Sequence, residues 1–281
     1  MAGSVVAPPE GSWAVRAMLA PAVLFLIVCF IAPVLYMLAL SVTGANAPFG
    51  HFHRLLTVPV YLKVLLNTFT TAFVVTLWCL ALGYPLAYVM ATRKGTLALV
   101  LFAIVAMSFW TGFVVRTYAW LVMLGNKGVL VALAALFDVG APPQLLFTSF
   151  ASTLGMVHIL LPFMVMALYG VMRRIDSTHL RAAHSLGAPP HRAFLEIFLP
   201  LSLPGVVNGS VLVFTLCLGF YVTPILLGTP QDMMISQLIT QQVEELLAWD
   251  FAAALATVLL VVTLALLALY NRIAGLDRLW G

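Results

Sequence analysis

The sequence predicts an all-α integral membrane protein with six transmembrane helices, and three observations carry that fold class. Of its 281 residues, 63% are hydrophobic and only 8% are charged, whereas soluble domains run at roughly 45–50% apolar and about 25% charged. Six apolar runs, residues 18–42, 64–91, 97–115, 150–172, 201–226 and 251–270, are of the order of the roughly 20 residues a helix needs to cross hydrocarbon. None alternates with period two over about ten residues, as the strands of a membrane β-barrel do. A mean hydropathy of +1.11 leaves too little polar surface for water to solvate a globule. A soluble enzyme and a nucleic-acid-binding module are excluded on that ground, despite a net charge of +4. Disorder is excluded as well, because disordered chains are polar and charge-rich.

Taken in order, residues 1–17 form a cytoplasmic N-terminal segment and 18–281 a single membrane domain. The first run exceeds the roughly 7–15 residues of a signal-peptide core. With only Arg16 before it, it reads as a retained helix. Pro33, Pro85, Pro162 and Pro224 fall inside or at the ends of runs, where spanning helices tolerate proline. Cys29, Cys79 and Cys217 all lie within spans and read as small apolar packing residues. Between runs three and four, residues 118–124 and 129–137 are each too short to span. Gly125-Asn126-Lys127-Gly128 separates them, and residues 138–143 close the stretch. They predict a continuation of the third helix followed by a short surface helix.

An even number of spans puts both termini on one side, and charge decides which. With cytoplasmic termini, the inner segments hold Arg16, Arg93, Lys94, Arg173, Arg174, Arg181, Arg192, Arg272 and Arg278, and the outer ones only Arg54, Lys63, Arg116 and Lys127. The positive-inside rule selects this orientation. Asp138, Asp232, Glu244, Glu245 and Asp250 then lie outside, with Glu10, Asp176, Glu196 and Asp277 inside.

The chain has no nucleotide-binding loop of the Gly-Lys-Ser/Thr kind, because Lys63, Lys94 and Lys127 follow Leu62, Arg93 and Asn126. No Asp, Glu, Lys or Arg stands deep in the six runs, although such residues mark proton relays and ion pathways. Uphill transport by this chain therefore needs energy from another subunit. His51 and His53 read as an exposed outer loop, since a metal site needs three or four ligands. His158, in the fourth run beside Pro162, reads as a helix-packing hydrogen bond.

The informative stretch is residues 173–200, between runs four and five. Asp176 or Ser177 can cap a helix by accepting from its free amides. Gly187 suits the left-handed position after its end, and Pro189-Pro190 stops it. That helix, 178–186, presents Ala182 and Ala183 as a surface flat enough for another protein to approach. A second short helix over 191–199 carries Phe194, Ile197 and Phe198, and residues 199–205 turn the chain into the fifth span. An amphipathic connector lying on the membrane is the simpler reading of this composition.

The pattern as a whole resembles the "EAA" loop of ABC-importer permeases: Ala182-Ala183, Gly187-Ala188, Phe194, Ile197 and Leu199-Pro200-Leu201-Ser202-Leu203-Pro204-Gly205. Arg181 stands where the family has an acid. Asn67-Thr68 and Leu82-Gly83-Tyr84-Pro85-Leu86-Ala87 resemble the family's second-helix signature. Arg116-Thr117-Tyr118-Ala119-Trp120, Tyr221-Val222-Thr223-Pro224 and Leu227-Gly228 resemble the spermidine/putrescine-type subfamily. The resemblance implies a type I importer permease in the bacterial inner membrane, with no catalytic residue, metal or cofactor of its own. Its implied partners are a cytoplasmic ATPase dimer that binds ATP and Mg, a second and different permease, a periplasmic solute-binding protein and membrane lipid. Leu180, Arg181, Ala182, Ala183, His184, Leu186, Gly187 and Ala188 would then dock on the ATPase. A stand-alone channel or ion-coupled transporter is the alternative, and an intramembrane enzyme a further one.

For a cationic solute the spans offer aromatic faces and dipoles rather than carboxylates: Trp110, Tyr118, Tyr221 and Thr223 are the expected path residues, and Trp120 reads as an interface anchor. Tyr221 leads, because a helix broken near Pro224 would turn backbone carbonyls toward a cavity. Carboxylates would come from the partner permease. Gly205 and Gly209 form a small-xxx-small pair that serves packing within the chain or a subunit interface, the former being favoured.

Overall fold

A computed structural model of the chain describes residues 13–43, 49–136 and 144–274, and these are helical with short connections. α1 (residues 13–43) runs through a π turn at Ile27–Ile31, and its stretch Leu19–Thr43 is apolar enough to span. α2 (Gly50–Thr57) leads into α3 (Pro59–Thr92), followed by α4 (Thr96–Trp110), α5 (Phe113–Leu124) and α6 (Val129–Leu136). α7 (Ser149–Met172) and the short α8 (Ser177–Ser185) come next. α9 (Pro190–Leu218), α10 (Val222–Leu227), α11 (Ile235–Glu244) and α12 (Trp249–Ala274) complete the order. Among the described residues, five helices are long and apolar enough to cross a membrane, and six spans result if the bent pair α4–α5 counts as one.

Packing centres on α3, α7 and α9. Ala72, Cys79 and Ala87 meet Met156, Leu160, Met164 and Leu168, with Val213 and Cys217 closing the cluster. Lipid tails are as apolar as leucine, so helices associate by close van der Waals fit, which small residues permit. Gly209 shows the requirement: a Cβ there would stand 2.7 Å from the Met164 sulfur, and one at Gly205 3.0 Å from Val171. Both glycines thus serve packing against α7. α1 is built differently, with Leu24, Phe25, Phe30 and Tyr36 exposed. Its second half, Ala32–Thr43, packs along α12.

Four expectations are corrected. The third helix does not continue past Thr111-Gly112. The chain there bends by 101° between α4 and α5, and hydropathy is blind to a break flanked by apolar residues on both sides. The fifth span is not 201–226: α9 starts at Pro190, ends at Leu218, and resumes as α10 after Gly219-Phe220-Tyr221. No separate helix over 191–199 and no turn at 199–205 exist. A π turn at Phe194–Phe198 widens the helix where Pro200 lacks its amide hydrogen, and the helix runs on through Pro204. The outer loop at His51 is also helical. His51 Nε2 lies 3.1 Å from Asp250 Oδ2, and the Arg54 guanidinium stands 4.7 Å over the Phe251 ring, so α2 is clamped to α12. The expected segment 1–17, except its last residues, and the loop 138–143 lie outside the described residues.

Candidate functional site

α8 spans Ser177–Ser185, one residue from its expected bounds. At its start the Thr178 amide donates to Asp176 Oδ1 at 2.8 Å, and that bond holds the carboxyl below its ordinary value. At its end Gly187 has φ +85°. The Ala188 amide reaches back to the Ala183 carbonyl at 3.0 Å and that of Leu186 to Ala182 at 3.1 Å, a closure that needs a left-handed residue. Ala183 is buried and Leu180 packs on the core, while Arg181, Ala182 and Leu186 face outward. Leu186, at 89% exposure, is an apolar side chain on a polar surface. Arg181 donates to Thr178 Oγ1 at 3.0 Å, so it is held within its own helix. Behind α8, Phe194 and Phe198 set their rings edge-on to Tyr88 at 5.4 and 4.9 Å, tying this end of α9 to α3.

The other feature lies where two broken helices meet. α4 ends at Trp110 and α5 restarts at Phe113; α9 ends at Leu218 and α10 restarts at Val222. The rings of Phe113 and Phe220 are 6.3 Å apart. A cavity of about 140 Å³ is lined by Phe113, Gly219, Phe220, Tyr221 and Val222. Irregular backbone at membrane depth persists where protein or a wet cavity covers it. Of the expected path residues, Trp110 and Tyr221 stand at the two breaks and are exposed, and Tyr118 is exposed on α5. Thr223 is different. It is fully buried, and its hydroxyl pairs with that of Thr117 at 3.0 Å, joining α10 to α5 behind the gap.

Phe113 and Phe220 were absent from the sequence expectation. Their only signal is the neighbouring glycines, Gly112 and Gly219. Trp120 donates its indole N–H to His158 Nδ1 at 3.1 Å, so His158 makes the helix-packing bond expected of it. A larger cleft of about 600 Å³ between α3, α9 and α12 has apolar walls such as Phe73, Leu77 and Phe214, and no expected path residue lines it.

Outside the gap, a frame of hydrogen bonds holds the connection from α10 to α11. Asn67 donates to the Gln231 carbonyl at 2.8 Å, and the Ile235 amide donates to Thr68 Oγ1 at 2.8 Å. The hydroxyls of Ser149 and Thr229 both donate to Asp232 Oδ2. The Asn67-Thr68 pair of α3 is thus a fastening point for a segment more than 160 residues away.

Three comparisons bear on this arrangement. The family profile described as "Binding-protein-dependent transport system inner membrane component" matches residues 24–274. The spermidine/putrescine transport system permease protein PotB of Salmonella typhimurium (strain SL1344) is 35% identical over 227 residues, covering 80% of this chain and 79% of that protein. The inner membrane ABC transporter permease protein YdcU of Escherichia coli (strain K12) is 30% identical over 243 residues, covering 80% and 76%. In fold alone, a chain of a bacterial alginate ABC transporter, solved in complex with an alginate pentasaccharide-bound periplasmic protein, is similar. Its TM-score is 0.78 with 19% identity, covering 93% of this chain and 94% of that one. The chain therefore belongs to the binding-protein-dependent transport system inner membrane components, and is a membrane-spanning permease subunit of an ABC importer.

Proposed function

We propose that this permease carries polyamines of the spermidine/putrescine kind, or a related small organic cation, as one half of a heterodimer. The observation that supports this most is the 35% identity to a spermidine/putrescine permease along 80% of the chain, joined to an aromatic gap at two helix breaks. Aromatic faces hold ammonium groups at roughly 0.5–2 kcal/mol each, and Tyr221, Phe113, Phe220 and Trp110 offer them. Among the described residues no carboxylate lines this gap, and an unpaired charge in a dry environment is costly. The second permease therefore supplies the counter-charge.

The chain itself binds no cofactor and performs no catalysis. A cytoplasmic ATPase dimer holds ATP and Mg, and α8 docks on it through Ala182, Leu186 and their neighbours. Both termini are cytoplasmic, so α8 lies inside and the gap faces the periplasmic binding protein. ATP binding closes the ATPases and draws the α8 helices together, which opens the membrane helices outward; hydrolysis resets them.

The test is uptake of labelled spermidine and putrescine by proteoliposomes holding the complete importer, with its loaded binding protein outside. Tyr221→Ala should raise KM for uptake while the complex still assembles. Wild-type KM and rate in that variant would take Tyr221 off the path. Transport of a neutral or anionic solute in place of polyamines would refute the cation reading.

A further inference from the structure

Where α9 breaks, the carbonyls that end it need donors. Those of Leu216 and Cys217 take the amides of Gly219 and Phe220 at 3.2 and 3.0 Å. The Phe220 carbonyl takes a side chain instead: the hydroxyl of Ser236, at 2.5 Å, from sixteen residues further along the chain. Ser236 is in the first turn of α11, and it is half-buried. That turn is itself anchored. The Ile235 amide is held by Thr68 of α3 at 2.8 Å, and the Met234 amide by the Gln237 carboxamide oxygen at 2.6 Å.

We propose that Ser236 is a positioning residue for the solute gap: it fixes the Phe220 carbonyl to α11, and through Thr68 to α3, so that the rings of Phe220 and Tyr221 are set by the outer segment. The proposal rests on the reading that solute passes this gap. Phe220 and Tyr221 flank the one peptide unit whose orientation the Ser236 bond determines. The Phe220 amide is held by Cys217 and the Tyr221 carbonyl by the Ile225 amide. The Phe220 carbonyl has Pro224 four residues on, which has no N–H to donate, so without the Ser236 bond this peptide can turn and shift the backbone that carries both rings. The same link gives the outer surface a mechanical hold on the gap, since any protein pressing on the start of α11 pulls on the Phe220 carbonyl.

The experiment uses the complete importer carrying Phe113→Cys and Phe220→Cys in a background of Cys29→Ala, Cys79→Ala and Cys217→Ala. Cross-linking by a short bifunctional thiol reagent reports the gap without solute, and uptake by the importer without the added cysteines gives KM and kcat. Ser236→Ala should change the cross-linking rate severalfold and raise KM for uptake by about threefold to tenfold with kcat little altered, the scale of one lost hydrogen bond. Ser236→Thr, which keeps the hydroxyl, should restore both. An unchanged cross-linking rate in Ser236→Ala overturns the positioning role. A changed rate with unchanged KM overturns instead the reading that solute passes the gap, leaving Ser236 only a structural bond.

Discussion

The hydroxyl oxygens of Tyr84 and Ser202 lie 2.8 Å apart, and each belongs to a different motif, the one around Gly83-Tyr84-Pro85 on α3 and the one around Pro200–Pro204 on α9. Ser202 is fully buried and donates to the Leu199 carbonyl at 2.8 Å, so Tyr84 is the donor to Ser202. The two motifs are therefore one contact in space, joining α3 to α9 next to the Tyr88, Phe194 and Phe198 rings.

This pair makes an asymmetric prediction. Ser202→Ala leaves a half-buried phenol without its acceptor, whereas Tyr84→Phe leaves Ser202 its own donor bond. Ser202→Ala should cost about 1–3 kcal/mol and Tyr84→Phe about 1 kcal/mol or less. The double variant should cost less than the two together. Thermal unfolding of the purified importer in one detergent checks this, and strict additivity would mean that the two hydroxyls do not interact.

Gly187 gives a second prediction. Its φ of +85° is one that side chains rarely adopt, yet nothing stands within 4 Å of a Cβ placed there, so a substitution meets backbone strain and no clash. Asn tolerates this region, Ala less, and a β-branched residue least. Solute-stimulated ATPase activity should fall in the order Gly187→Asn, Gly187→Ala, Gly187→Val, with the protein still inserted. Equal activity in all three would separate the end of α8 from coupling.

Topology is tested by single cysteines. Lys127→Cys and Glu244→Cys should react with an impermeant thiol reagent in intact cells, while Arg93→Cys and Leu186→Cys should react only after permeabilisation. The opposite pattern would invert the orientation.

The cap on α8 predicts a pH dependence. The Thr178 amide, which donates to Asp176, depresses the carboxyl's folded-state value. Stability from this cap is complete above the ordinary carboxylate value and is lost as pH falls through the lowered one. Hydrogen exchange in residues 177–186, corrected for its intrinsic pH dependence, should lose protection toward acid pH in the wild type. Asp176→Ala should show that loss already at neutral pH, and Asp176→Asn, which keeps an acceptor, should respond less to pH. Identical profiles for the wild type and Asp176→Ala would remove the cap from the account.

The long helices were legible because crossing hydrocarbon demands an unbroken apolar run, which composition displays directly. α8 was legible for a different reason: Asp176, Gly187 and Pro189 each fit a place where the backbone has few alternatives. The break at Thr111-Gly112 was not, since apolar residues flank it and a sum over a window cannot record a bend. The break expected near Pro224 falls instead at Gly219–Tyr221, with Pro224 inside the helix that follows. α11 escaped as well. Its polar Ser236, Gln237, Gln241 and Gln242 and its short length resemble a loop, and its first turn is fastened by Thr68, a residue no local reading connects to it. Phe113 and Phe220 become neighbours only through those two breaks, which is why the gap they line was out of reach.

The pairing of α1 with α12 has a consequence for how the protein is made. The first span enters the bilayer while its main neighbour in this chain is still unsynthesised, with only the short α2 beside it until α12 emerges. Contacts of such long sequence separation form late, so the nascent chain spends most of its synthesis with α1 undocked. Truncation before Trp249 would leave that helix permanently without this neighbour.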